Sequence, residues 1–186
     1  MFLVSALLHD IATSPEDARR YEINRICYHF DCVFNRRQRP GLALIDRFTD
    51  KEIDGHLVEK FSVGVRDMPY SKSMRLSNVL GFHYSAIGQS HFTSIVDIVL
   101  GSLRFSLNAF TRKDAGRLPT AKKLLPLIAP LFFREKGATT VSELGFFFSP
   151  KVIKIDKYRA QYEALKAFLA EHGIETAQPI TDERRY

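Results

Sequence analysis

The sequence predicts an α/β protein whose core is built from parallel strands joined by helices, followed by a C-terminal α+β extension. Three observations lead there. Stretches of helical periodicity alternate with two short apolar runs, Gly41-Leu-Ala-Leu-Ile-Asp46 and Val79-Leu-Gly-Phe-His83, in the order helix, strand, helix, strand, helix that crossover connections of a parallel sheet produce. The 186 residues are 45% hydrophobic and include 15 Phe, enough to bury a core of about one domain's size. Beyond Phe110 the composition turns basic, which divides the chain into a core over 1–112 and an extension over 113–186.

Taken in order, Met1-Phe-Leu-Val-Ser-Ala-Leu-Leu is apolar and too short for periodicity to choose between a strand and the last turns of a helix. Its abrupt start is what a chain beginning inside a larger domain is expected to show. Ser14-Pro15-Glu16-Asp17 has the composition of a helix start, with a hydroxyl cap, Pro at the first helical position and acids at the positive end of the dipole. Ile23, Ile26, Cys27, Phe30, Val33 and Phe34 recur at helical spacing, so this helix ends near Asn35. The basic turn Arg36-Arg37-Gln38-Arg39-Pro40 leads into the first strand, which ends on Asp46, and Asp50 opens a second helix carrying Ile53, Leu57, Val58 and Phe61. Residues 62–77 lack a clean period and read as loop. After the strand at Val79, Ser90 and Thr93 are candidate caps of a helix that runs to Phe110.

That last helix contains the most unusual residue. Asp97 interrupts the apolar run Ser94-Ile-Val-Asp-Ile-Val-Leu-Gly-Ser-Leu-Arg-Phe105. At 100° per residue, Thr93, Ser94, Gly101, Arg104 and Asn108 fall within about 40° of it, and apolar side chains cover the other sides. A buried carboxylate costs several kcal/mol unless it is compensated, so Asp97 is either part of a functional site or a core group satisfied by a neighbour such as Ser94 at i−3.

Thr111 to Lys136 carries seven basic residues, among them Lys122 and Lys123, against two acidic ones. Pro126 and Pro130 are expected to interrupt a helix there. Leu144-Gly-Phe-Phe-Phe148 and Val152-Ile-Lys-Ile155 read as a hairpin across Ser-Pro-Lys. Asp156 is expected to cap an amphipathic helix with Tyr158, Tyr162, Leu165, Phe168 and Leu169 inward and Gly173 as its stop.

Several function classes fall away. Cys27-x-His29-x-x-Cys32 has neither finger spacing nor a second half, so no four-ligand zinc site is expected, and Cys27 should pack as a small hydrophobe. No apolar stretch reaches the roughly 18 residues a membrane span needs, and the N-terminus lacks the basic region of a secretion signal. A soluble protein of a reducing, cytoplasmic compartment is expected. The formal net charge of +6 favours acidic partners, nucleic acid foremost.

Gly41-Leu-Ala-Leu-Ile-Asp46 and Ser94-Ile-Val-Asp97 together resemble motifs of the family called domain of unknown function 3800, over roughly residues 15–112. Members resemble the ribonuclease H fold. Their pattern is a first strand ending in Asp-Glu-Ser-Gly, a later strand of the type Gly-apolar-apolar-apolar-apolar-Asp, and a helix of the type Gln-apolar-Ala-Asp-apolar-apolar-small. Asp46 matches the second acid and Asp97 the third. No Asp-Glu-Ser-Gly occurs, and Ser94 and Val96 stand where Gln and Ala are common. The resemblance implies a ribonuclease H-like core lacking its first strand, in which Asp46 and Asp97, with Asp50 as an extra ligand, hold Mg²⁺ or Mn²⁺ for phosphodiester hydrolysis. Apart from the resemblance, their charge makes Arg36, Arg37 and Arg39 before the Asp46 strand, and Lys122 and Lys123 in the basic segment, candidates for contact with phosphates. A non-catalytic nucleic-acid or protein-binding module, or an inactive fragment of a longer protein, is the competing expectation.

Overall fold

Proline at the first turn of a helix gives up a hydrogen bond that the helix could not make, and in the computed structural model Pro15 opens α1, Pro15–Arg37. The structure describes residues 2–8, 11, 15–46, 51–68, 71–85 and 91–183; the expected caps Ser14 and Ser90 lie outside them. The chain is mixed α/β with small parallel sheets. It divides into two compact units: unit 2, Ala12–Ser94, and unit 1, Met1–Ile11 with Ile95–Tyr186.

Unit 2 is built on two parallel strands, β2 (Gly41–Asp46) and β5 (Val79–Ser85), with α1 and α2 (Lys51–Ser62). Ala43 pairs with Phe82 and Ile45 with Tyr84 in register, and Ala43, Ile45 and Phe82 pack into one cluster with Cys27, Phe30, Phe34, Phe61 and Val65. Asp31, buried on α1, ties the helix to the turn before β5 by accepting the Asn78 backbone N–H at 2.7 Å and its side-chain amide at 3.2 Å.

Residues 62–77 correct the sequence reading, because they contain an antiparallel pair, β3 (Val65–Met68) and β4 (Ser71–Met74), rather than a loop. Each strand has four residues, too few for alternation to register. Gly64 makes the entry, with φ at +118° and the Met74 carbonyl packed where a Cβ would stand.

Unit 1 begins with β1 (Val4–Leu7), which pairs in parallel with β6 (Phe146–Ser149), more than a hundred residues on. The expected hairpin of 144–155 is therefore corrected. Phe146, Phe147 and Phe148 are all buried, and Val152 bridges Thr181 rather than the preceding strand. The other elements are α3 (His91–Thr111), whose first four residues belong to unit 2, α4 (Leu118–Ile128), a 3-10 turn at Ala129–Leu131, and α5 (Asp156–Glu171). Pro126 lies inside α4, and the helix gives way to the 3-10 turn two residues later. Tyr162, Leu165, Phe168 and Leu169 of α5 are buried and Gly173 ends it at φ +87°. The cap residue of α5 is Ile155, not Asp156, whose carboxylate instead accepts from Arg159 one turn later.

Candidate functional site

Asp46 occupies the last position of β2, opposite Ser85 at the end of β5. Parallel α/β sheets bind ligands at the carboxyl ends of their strands, so its backbone position is the one sequence reasoning assigned. Its side chain, and the whole of Asp50, lie outside the described residues. Beside this edge the Tyr84 hydroxyl donates to the Asp54 carboxylate at 2.8 Å. Desolvation first, and then that carboxylate, push the Tyr84 phenol above its usual range. Sequence reading missed this pair, because nothing in the spacing of Asp54 and Tyr84 marks them as neighbours.

Asp97 is found in unit 1, so neither compact unit contains both proposed acids. It is exposed, which corrects the expectation of a desolvated carboxylate on a buried helix. The reason is visible along α3. Its buried positions begin at Val99 and continue through Leu103, Ser106 and Ala109, whereas Ile95 and Ile98 are 50% and 68% exposed. Of the polar stripe read from the sequence, Asp97, Gly101 and Arg104 are exposed and Thr93, Ser94 and Asn108 partly buried. Among the described residues no three His, Cys, Asp or Glu side chains gather where they could hold a metal ion. His83, on β5, and His91, at the start of α3, are both exposed.

The basic residues lie at the surface of both units. Arg36, Arg37 and Arg39 are exposed in unit 2, where α1 ends and the chain turns into β2. In unit 1, Arg112, Lys113, Lys122 and Lys123 are exposed; the two lysines lie on α4 away from Ala121 and Leu125, which are fully buried. Asp114, between α3 and α4, is occupied locally. One carboxylate oxygen accepts the backbone N–H groups of Gly116 and Arg117, both at 3.1 Å, and the other pairs with the Arg117 guanidinium at 3.4 Å.

Arg134 belongs to the same basic segment and has a different task. Its guanidinium donates to the carbonyls of Thr139, Ala129 and Gly173 at 2.9, 2.9 and 3.1 Å, tying the start of the 3-10 turn to the segment just past α5. An open groove of about 670 Å³ runs past it, lined also by Pro126, Pro130 and His172. With its donors turned to carbonyls, Arg134 is a brace rather than a ligand-binding cation.

No protein-family model, characterised protein or solved structure matches this chain. No helix among the described residues is long and apolar enough to cross a membrane.

Proposed function

We propose that the chain binds the phosphate backbone of nucleic acid through the basic segment of unit 1. One observation carries the reading: Arg112, Lys113, Lys122 and Lys123 are exposed on one compact unit, while the acid between them, Asp114, is held by Arg117 and two backbone N–H groups. Positive charge left uncancelled at a surface releases counterions when it meets phosphates, and this supplies sequence-independent affinity. Arg36, Arg37 and Arg39 form a second exposed basic group, on unit 2. A cytoplasmic setting belongs to the same proposal, on the ground that Cys27 and Cys32 are free thiols.

Charge reversal at both lysines, Lys122→Glu with Lys123→Glu, tests it. Affinity for a short duplex, followed by fluorescence anisotropy across a salt series, should fall about tenfold or more, and the slope of log K against log salt should flatten by about two. Stability should change by less than about 0.5 kcal/mol. Unchanged affinity with an unchanged slope would assign the lysines to a solvated surface and end the proposal.

A second reading, a Mg²⁺- or Mn²⁺-dependent nuclease on a ribonuclease H-like core of the domain of unknown function 3800 type, is favoured by the position of Asp46 at the carboxyl edge of a parallel strand pair. Thermal melts with and without Mn²⁺ test it. Metal that binds only the folded chain raises the melting temperature, and Asp46→Asn should abolish that rise. A wild-type melt indifferent to Mn²⁺ removes this reading and leaves the first untouched.

A further inference from the structure

We infer that α3 is a self-association helix, which packs antiparallel against α3 of a second copy of this chain across Gly101. The face it would use belongs to unit 1 and is unusual for a solvent-facing surface. Ile98 and Leu100 are 68% and 39% exposed, and Gly101, which falls between them in angle around the helix, is exposed, with no heavy atom within 4 Å of the place a Cβ would occupy. Exposed apolar side chains around a position without a side chain let two helix backbones approach closely.

Charge complementarity identifies the occupant. Asp97 and Arg104 lie on the same face, two turns and about 10 Å apart, too far along the helix to pair with one another. Neither has an ion-pair partner among the described residues. The midpoint between them falls between Leu100 and Gly101. A two-fold axis there brings Asp97 of one protomer level with Arg104 of its partner, and the symmetry makes the contact twice. An isologous interface of this kind needs one acid and one base placed symmetrically about a small central residue. It gives the acid in the apolar run a task that requires neither burial nor a metal: setting the register and direction of a helix pair whose apolar contacts alone would not specify either.

The experiment is sedimentation equilibrium on the full chain, with circular dichroism to check that each variant folds. Wild type should dimerise, and the dissociation constant should rise about tenfold or more for Ile98→Asp, for Asp97→Arg and for Arg104→Asp. The double exchange, Asp97→Arg with Arg104→Asp, should restore dimerisation to within about threefold of wild type, because the pairing is preserved with its signs reversed. EDTA should leave the dimer unchanged. A wild type that stays monomeric at about 100 µM overturns the inference, as does a dimer indifferent to Ile98→Asp. A double exchange that stays as weak as the single ones overturns the proposed register, and loss of the dimer in EDTA would return Asp97 to the role of a metal ligand.

Discussion

Both units are founded on a two-stranded parallel pair, yet they treat it in opposite ways. Parallel strands are ordinarily covered on both faces, and β6 in unit 1 obeys: Phe146 and Phe148 are fully buried and Phe147 nearly so. Its edge is closed by a side chain. The Gln178 amide accepts the Phe148 N–H at 2.7 Å and donates to the Phe148 carbonyl at 2.8 Å, standing in for the backbone of a neighbouring strand. In unit 2 one face of β2 and β5 meets α1 and α2, while Leu42, Leu44 and Leu80 are 53%, 57% and 69% exposed. Among the described residues the same strand arrangement is thus finished in one unit and half covered in the other, a contrast that predicts unit 1 to be the more stable.

The largest expected effect tests that contrast directly. Phe148→Ala removes a fully buried ring that packs edge-on against Tyr162, with centroids 5.6 Å apart, and should cost about 3 to 5 kcal/mol. Leu44→Ala, on the open face of β2, should cost less than about 0.5 kcal/mol. Denaturant titrations of the two variants check this, and peptide-resolved hydrogen exchange should show β6 and α5 more protected than β2 and β5. A Leu44→Ala loss above about 2 kcal/mol would mean that the open face is covered in solution, and the contrast between the units would fail.

The next effect is smaller and concerns the edge of β6. Gln178→Leu keeps the volume but leaves a buried N–H and a buried carbonyl of Phe148 without partners, at about 1 to 3 kcal/mol each before relaxation. A total loss of about 2 to 4 kcal/mol is expected in urea titration. If Gln178→Leu is neutral, water reaches the strand edge and the amide is not its closure.

How much of this was legible beforehand follows from the range of each interaction. α1, β2, β5, α3 and α5 were readable because turn residues and apolar period are local. The β1–β6 pairing was not: its two strands are separated by more than a hundred residues, so the apolar run at Phe146 was assigned to its nearest neighbour in sequence. Asp97 shows the same limit within one helix. Periodicity found the polar stripe, but which turns of α3 lie over a core depends on where that core ends, at Val99. The Asp54–Tyr84 pair had no signal, since a contact between a helix and the end of a strand leaves no spacing rule.

The smallest effect comes from unit 2 and depends on pH. Cys27 is buried in the cluster against β2, and burial pushes its thiol from 9.0 up to about 11, only partly offset by the nearby Lys60 ammonium. Between these values the folded chain keeps the proton that the unfolded chain gives up, so rising pH favours unfolding. The stabilisation is complete below about pH 9 and is lost as pH climbs towards 11, on the order of 1 to 3 kcal/mol. Cys27→Ala removes this titration. Its stability should therefore fall less steeply than that of wild type across pH 9 to 11, even though the variant starts lower because of the small cavity. Alkylation by iodoacetamide at pH 8 offers a second readout. Cys32 is half-buried and also pushed up by desolvation, but it should react well ahead of Cys27, whose labelling then reports how often unit 2 opens. If the two thiols react at equal rates, the cluster beneath β2 is no better closed than the face above it.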